Sequence, residues 1–203
     1  DRSAEQSVSS LGQTVRKQVS FMNEAVSQAI EMGVQLNGHL IGPVSEEGQP
    51  FRMAHDDVEL IAVGATLPDF TLSNLSGESF LASAHNDGLL LLDFWYKGCF
   101  PCQLSMPAIE RLHRQYESKG LQVLGINPFD KNTEQLNDWL KSRNITYPTL
   151  LDPDKQLPKA LGLNGYPLLL IADARTKKVI YVHEGYSESL EADLEPVIKE
   201  HLK

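Results

Sequence analysis

A chain of 203 residues with 41% hydrophobic content is long enough for one domain plus an extension, or for two small domains. Its net charge of −9 argues against polyanionic partners, nucleic acid and anionic membrane surfaces included. No apolar stretch approaches the roughly 20 residues that a membrane-spanning helix needs.

Cys99 and Cys102 are the only cysteines. A structural zinc site takes four ligands, and none of the six histidines forms a spaced pair near Cys99. The absence of stray thiols elsewhere fits an oxidising compartment. The chain opens at Asp1 rather than Met, so either a cut boundary or a removed leader is expected just upstream, and no leader or anchor is visible within it.

In chain order, residues 1–10 are polar and Ser-rich, and the tip is expected to be disordered. Val15, Val19, Met22, Val26 and Ala29 step by four and three, which predicts an amphipathic helix over 11–32. Such a stripe serves either a helix docked on its own domain or a short homodimer seam. From Gly33 to Asp57, glycines and prolines break up short apolar pieces, as in a linker with one or two short strands. The domains are therefore set at 1–57, an N-terminal extension, and 58–203, the main body.

Thr71-Leu72 and Ser79-Phe80 flank Ser76-Gly77 and predict a hairpin. Leu89 to Trp95 is a near-continuous apolar run, as expected of a strand buried on both faces. A helix follows from Cys99 to Ser118, with a kink expected near Ser105 or Met106 because Pro107 lies inside it. Leu121 to Asn127 is the next strand, and Asn132 caps a helix that runs to Arg143. An extended piece at 147–151, a short helix at 154–161, strands at 168–172 and 179–183, and a closing helix at 190–202 complete the chain. Alternation of strands and helices predicts a layered α/β sandwich.

The chemistry concentrates in Trp95-Tyr96-Lys97-Gly98-Cys99-Phe100-Pro101-Cys102. A strand delivers two thiols to the first turn of a helix, where unpaired N–H groups and the helix dipole stabilise a thiolate. Pro101 suits that turn, because its missing N–H is not needed there. Cys99, at the helix start, is expected to be solvent-accessible and to attack. Cys102, one turn further in, is expected to be shielded and to resolve. Asp93 places a carboxylate in an apolar strand, which is costly unless the group is paired or protonated.

Asp93-Phe94-Trp95, Cys-x-Pro-Cys and Gly165-Tyr166-Pro167 ahead of Leu168-Leu169-Leu170-Ile171 form a specific set. From about Val63 onward the chain resembles the thioredoxin superfamily, in particular extracytoplasmic thiol-disulfide oxidoreductases of the TlpA and ResA type. The resemblance implies a thioredoxin-like three-layer α/β/α sandwich with a central mixed sheet and an N-terminal hairpin, here with a helical N-terminal extension. It implies disulfide exchange with protein substrates and an upstream redox partner, without metal or organic cofactor, in the bacterial periplasm or cell envelope. By resemblance Asp93 is the general base for Cys102. Thioredoxins hold a Lys near this Asp, whereas the matching position here is Gly125, which points to a proton path through water. Some ResA-like reductases carry an acidic residue three positions after the second cysteine, and this chain has Ser105, a departure that counts against a direct transfer of their role in cytochrome maturation.

The family further implies that Trp95, Phe100 and Pro101 form a flat docking patch, and that the Tyr166–Pro167 bond is cis and faces the cysteines. Tyr166 departs from the small residue common before that Pro, and is expected to bind substrate and tune its choice. Phe-Pro between the cysteines is closer to the reducing Gly-Pro type than to the oxidising Pro-His type, within potentials that run from about −270 to −120 mV. A reductase is therefore expected. The alternatives are a non-enzymatic docking scaffold and, on the same fold, a thiol peroxidase, for which the Thr required just before the peroxidatic cysteine is missing at Lys97-Gly98.

Overall fold

The computed structural model describes residues 35–36, 39–40 and 59–202. The helix expected over 11–32 lies outside them. Residues 1–56 and 57–203 form separate compact units. In the first, β1 (Gln35–Leu36) and β2 (His39–Leu40) make a minimal antiparallel pair.

The second unit is built on β5 (Leu89–Phe94), whose six residues are all buried. Such a strand must be covered on both faces, and alternation of side chains divides the work. Leu90, Leu92 and Phe94 enter one core with Leu124, Ile126, Leu168 and Leu170. Leu89, Leu91 and Trp95 enter the other with Cys99, Cys102, Met106 and Ile109. Each fully buried Leu contributes about 1.5–3 kcal/mol, so this strand anchors the fold.

β6 (Leu121–Asn127) runs parallel to β5 on one side, and β8 (Leu168–Asp173) runs antiparallel on the other. β7 (Thr149–Leu151), β3 (Thr71–Asn74) and β4 (Ser79–Leu81) extend the sheet beyond β6, and β9 (Val179–Glu184) closes it beyond β8. The seven-stranded order is β4-β3-β7-β6-β5-β8-β9.

α1 (Phe100–Tyr116), α2 (Thr133–Ser142) and α4 (Leu190–His201) supply buried residues to the core that holds the cysteines. α3 (Gln156–Ala160) and the segment around Leu67 and Phe70 cover the opposite face. The α1 stripe is Cys102, Met106, Ile109, Leu112 and Tyr116, the three-four spacing that keeps one helix face on the sheet. α1 continues through Pro107, so the expected kink does not interrupt it. The order of strands and helices matches the expected thioredoxin-like sandwich.

At the sheet end opposite the cysteines, Gly88 takes φ +72°, and an added Cβ would lie 1.9 Å from the Gly120 carbonyl oxygen. The same carbonyl accepts from Leu89 N–H at 2.9 Å. Gly88→Ala should therefore lower stability by about 2–4 kcal/mol, from the strained φ and the clash together. Urea unfolding measures it, and the activity of the remaining folded protein should be unchanged.

Candidate active site

β5 ends at Phe94, and the chain turns through Trp95–Gly98 into α1. Cys99 is the N-cap of that helix, with extended backbone at φ −82° and ψ 98°. Its Sγ accepts from Cys102 N–H at 3.2 Å, while its carbonyl accepts from Gln103 N–H. Cys99 and Cys102 are joined by a disulfide with their Cα atoms 5.3 Å apart. Any thiolate formed on Cys99 inherits this N–H donor and the positive end of the helix dipole.

Both sulfur-bearing residues are buried. Cys99 is 4% exposed and Cys102 1%. Cys99 was expected to be open to solvent, and in the disulfide form it is not. Phe100 stands out instead at 67% exposure, beside exposed Pro101, because residues at the first turn on the outer side have nothing above them.

Asp93 shares the β5 face of Leu91 and Trp95, the face covered by α1. It is 1% exposed. Its neighbours in register are Gly125 on β6 and Leu169 on β8. Gly125 thus stands where the sequence placed it, opposite Asp93 and without a side chain to offer. Asp93 is not unpaired, however. The Tyr147 hydroxyl donates to its Oδ2 at 2.9 Å, a contact that sequence reasoning missed. Burial raises the Asp93 carboxyl from 3.8 to about 7, and the Tyr147 hydrogen bond works in the opposite direction.

Trp95 was expected on the docking face, and the structure overturns this. It is fully buried and stacks on Trp139 at 5.5 Å, with Arg143 over the outer ring at 3.8 Å. Gly125 permits the packing, since a Cβ there would lie 2.6 Å from Trp95 Nε1. Position i+2 from Asp93 on a strand covered by helices leaves the ring no route to the surface.

In the loop before Cys99, Tyr96 packs instead with Phe129 and Tyr166 in an aromatic cluster. Tyr96 meets Phe129 edge-on at 4.9 Å, and Tyr166 meets each of them at 5.5 Å. Tyr166 is half-buried, and burial with Asp152 and Tyr96 nearby pushes its hydroxyl up to about 12. It therefore stays a neutral phenol at physiological pH. The Tyr166–Pro167 peptide is cis, and Pro167 is buried. Because Leu168 pairs with Phe94, Pro167 lies level with Trp95 at the cysteine end of the sheet.

Phe129, 42% exposed, comes from the turn after β6. Asn127 Oδ1 accepts from Phe129 and Asp130 N–H, and Asp130 Oδ2 accepts from Lys97 N–H at 2.7 Å. This carboxylate ties the cysteine loop to the β6 turn. Asn127-Pro128-Phe129-Asp130 after an apolar strand was the available signal, a turn formed by a side-chain amide.

A disulfide held at a helix N-terminus can open and re-form with no other reagent than a second thiol or disulfide. That chemistry on this mixed sheet defines a thioredoxin-like thiol-disulfide oxidoreductase, and the protein is one. More particularly, the chain belongs to the AhpC/TSA family, whose profile matches residues 63–182. It is 29% identical over 122 residues to the thiol-disulfide oxidoreductase ResA of Geobacillus thermodenitrificans, covering 59% of this chain and 70% of ResA. It is 32% identical over 117 residues to the thioredoxin-like protein YneN of Bacillus subtilis, covering 57% of this chain and 68% of YneN. Among solved structures, the thiol:disulfide interchange protein DsbE of Chlorobium tepidum superposes with a TM-score of 0.64 at 30% identity, over 71% of this chain and 100% of that one.

The buried carboxyl makes stability depend on pH. Between 3.8 and about 7 the folded protein keeps a proton that the unfolded chain has released. The contribution is fully present below pH about 4 and is lost as pH rises through about 7. The separation of the two values corresponds to at most roughly 4 kcal/mol. Asp93→Asn should therefore stabilise the protein by a few kcal/mol at pH 8 and by little at pH 4, measured by urea titration at both values.

Proposed function

We propose that this protein is a disulfide reductase for other proteins in an extracytoplasmic compartment. The carrying observation is the Cys99–Cys102 disulfide at the N-terminus of α1 with the Asp93 carboxyl on the sheet face beneath that helix. In the reduced state Cys99 thiolate attacks a substrate disulfide. A Cys99–substrate bond forms, the substrate S–S bond breaks, and the departing sulfur takes a proton from water. Cys102 then gives its proton to Asp93 and attacks Cys99 Sγ. The Cys99–Cys102 bond forms, the Cys99–substrate bond breaks, its departing sulfur takes a proton from water, and the substrate leaves as a dithiol with both electrons. An upstream dithiol partner restores the reduced state. A carboxyl titrating near 7 is suited to take and return this proton at neutral pH.

Phe100, Pro101 and Tyr166 form the docking surface in this reading, with Phe129 and Tyr96 added and Trp95 removed, while buried Pro167 shapes the site behind Tyr166. A depression of about 250 Å³ beside Phe129, lined by Lys97, Asp130, Lys131 and Gln135 among others, offers room for flanking substrate residues. The ResA and DsbE likenesses support disulfide exchange and an extracytoplasmic setting, and the Phe-Pro pair between the cysteines supports the reducing direction. Among the described residues no helix is long and apolar enough to cross a membrane.

Insulin reduction with dithiothreitol as donor should be catalysed by the protein and abolished by Cys99→Ser. Cys102→Ser should instead accumulate a stable mixed disulfide, visible by non-reducing electrophoresis. Full activity in Cys99→Ser would overturn the assignment of the attacking sulfur.

We further infer that residues 58–203 suffice for folding and exchange, and that the 11–32 segment serves self-association. Division of the chain near residue 57 supports the first point, and the four-three apolar step supports the second. A protein beginning at Val58 should keep its insulin reductase rate and sediment as a monomer where the full chain sediments as a dimer.

A further inference from the structure

The Asp93 carboxyl has two oxygens in different situations. Oδ2 accepts from the Tyr147 hydroxyl at 2.9 Å, and Oδ1 has no hydrogen-bond partner among the described residues. Tyr147 is itself 2% exposed and comes from the segment that leads into β7, 54 residues away in sequence. No Lys or Arg among the described residues forms an ion pair with Asp93.

Tyr147 is clamped on both sides. Before it, Thr146 donates through N–H and Oγ1 to Glu110 on α1, each at 2.7 Å, and Glu110 is bonded in turn to Arg114. After it, the Pro148 carbonyl accepts from Gly125 N–H at 2.8 Å. The ring rests edge-on against buried His113 at 6.2 Å. A phenol fixed by α1 on one flank and by β6 on the other presents its hydroxyl to one place only. Burial, then the Asp93 charge, holds that hydroxyl well above its ordinary value, so it remains a donor through the working pH range.

We propose that Tyr147 is the positioning residue of the Asp93 carboxyl: it holds one oxygen and leaves the other free for the proton of Cys102, and so sets the pH range in which the mixed disulfide resolves. This rests on the reading of Asp93 as proton acceptor given above. A donor hydrogen bond favours the ionised carboxylate and opposes burial. Without it, Asp93 would hold its proton to higher pH, and Cys102 would find no acceptor near neutrality.

The other groups facing Asp93 do not substitute for Tyr147. Its strand neighbours Gly125 and Leu169 carry no titrating side chain, and the next positions in that row are Thr149 on β7 and His183 on β9. From α1, Cys102 lies in the same core, while Glu110 and His113 reach the site through Tyr147 and its neighbour. Among the described residues Thr149 Oγ1 and Trp95 Nε1 also lack partners, but neither donates to Asp93.

The test is Tyr147→Phe, which keeps the ring and removes the hydroxyl, in the full chain. Two quantities are read: the titration of the ¹³C-labelled Asp93 carboxyl by NMR in the oxidised protein, and the rate of mixed-disulfide resolution from pH 5 to 9. Both midpoints should rise together by about one pH unit, making resolution roughly tenfold slower at pH 6, with the first attack by Cys99 unaffected. An unmoved Asp93 titration overturns the role of Tyr147. A moved titration with an unmoved resolution profile overturns instead the reading of Asp93 as acceptor. Should the variant fail to fold, the wild-type protein decides: the Tyr147 Cζ signal must follow the Asp93 titration while the phenol stays protonated, and a signal indifferent to it overturns the proposal.

Discussion

The Tyr147 hydroxyl donates to the one carboxyl of β5, a strand buried on both faces, and that contact is the constraint on the sheet face under α1. β5 is apolar at every other position, and its burial between two cores anchors the sheet. A carboxyl in that strand opposes the same burial, since an isolated charge in such a place costs several kcal/mol. The protein answers with a phenol donor and with partial neutralisation near pH 7 rather than with a cation. The residual cost is local, and in the proposed exchange its location beneath α1 is what makes it usable, since proton transfer at neutral pH requires a group poised between two protonation states.

The same economy governs the sulfurs. α1 begins where β5 ends, so its N–H groups face Cys99, and its apolar stripe of Met106, Ile109 and Leu112 is pressed on the sheet. The stripe holds the helix, and the helix end holds the disulfide. Asp130 then fixes the intervening loop from a different strand through Lys97 N–H. Asp130 and Asp93 are each engaged by a hydrogen-bond donor. The aromatic cluster of Tyr96, Phe129 and Tyr166 is assembled from three segments that meet only at this end of the sheet.

Much of this was legible in the linear chain, and its errors have a common form. The two cysteines, the preceding strand, the following helix, Asp93 and Gly165-Tyr166-Pro167 were all visible as local patterns. Gly125, matched by resemblance to the position of the thioredoxin lysine, stands opposite Asp93 in register. Trp95 was misplaced because adjacency in sequence to a surface loop says nothing about which face of β5 the side chain takes. Cys99 was expected to be open for the same reason: the helix start is at the surface, but the sulfur turns inward toward Cys102 N–H.

The sequence by itself determined the order of elements and the residues able to carry redox chemistry. Spacing of apolar positions, caps and a Cys-x-Pro-Cys turn act over a few residues, and one chain displays them directly. Tertiary structure alone decided which groups complete that chemistry. Tyr147 reaches Asp93 across 54 residues, Asp130 reaches Lys97 across 33, and Thr146 reaches Glu110 across 36. Hydrogen bonds of this range depend on the register of β5, β6 and β7 and on where each loop leaves the sheet. Those are set by packing two cores at once, and no local pattern encodes them.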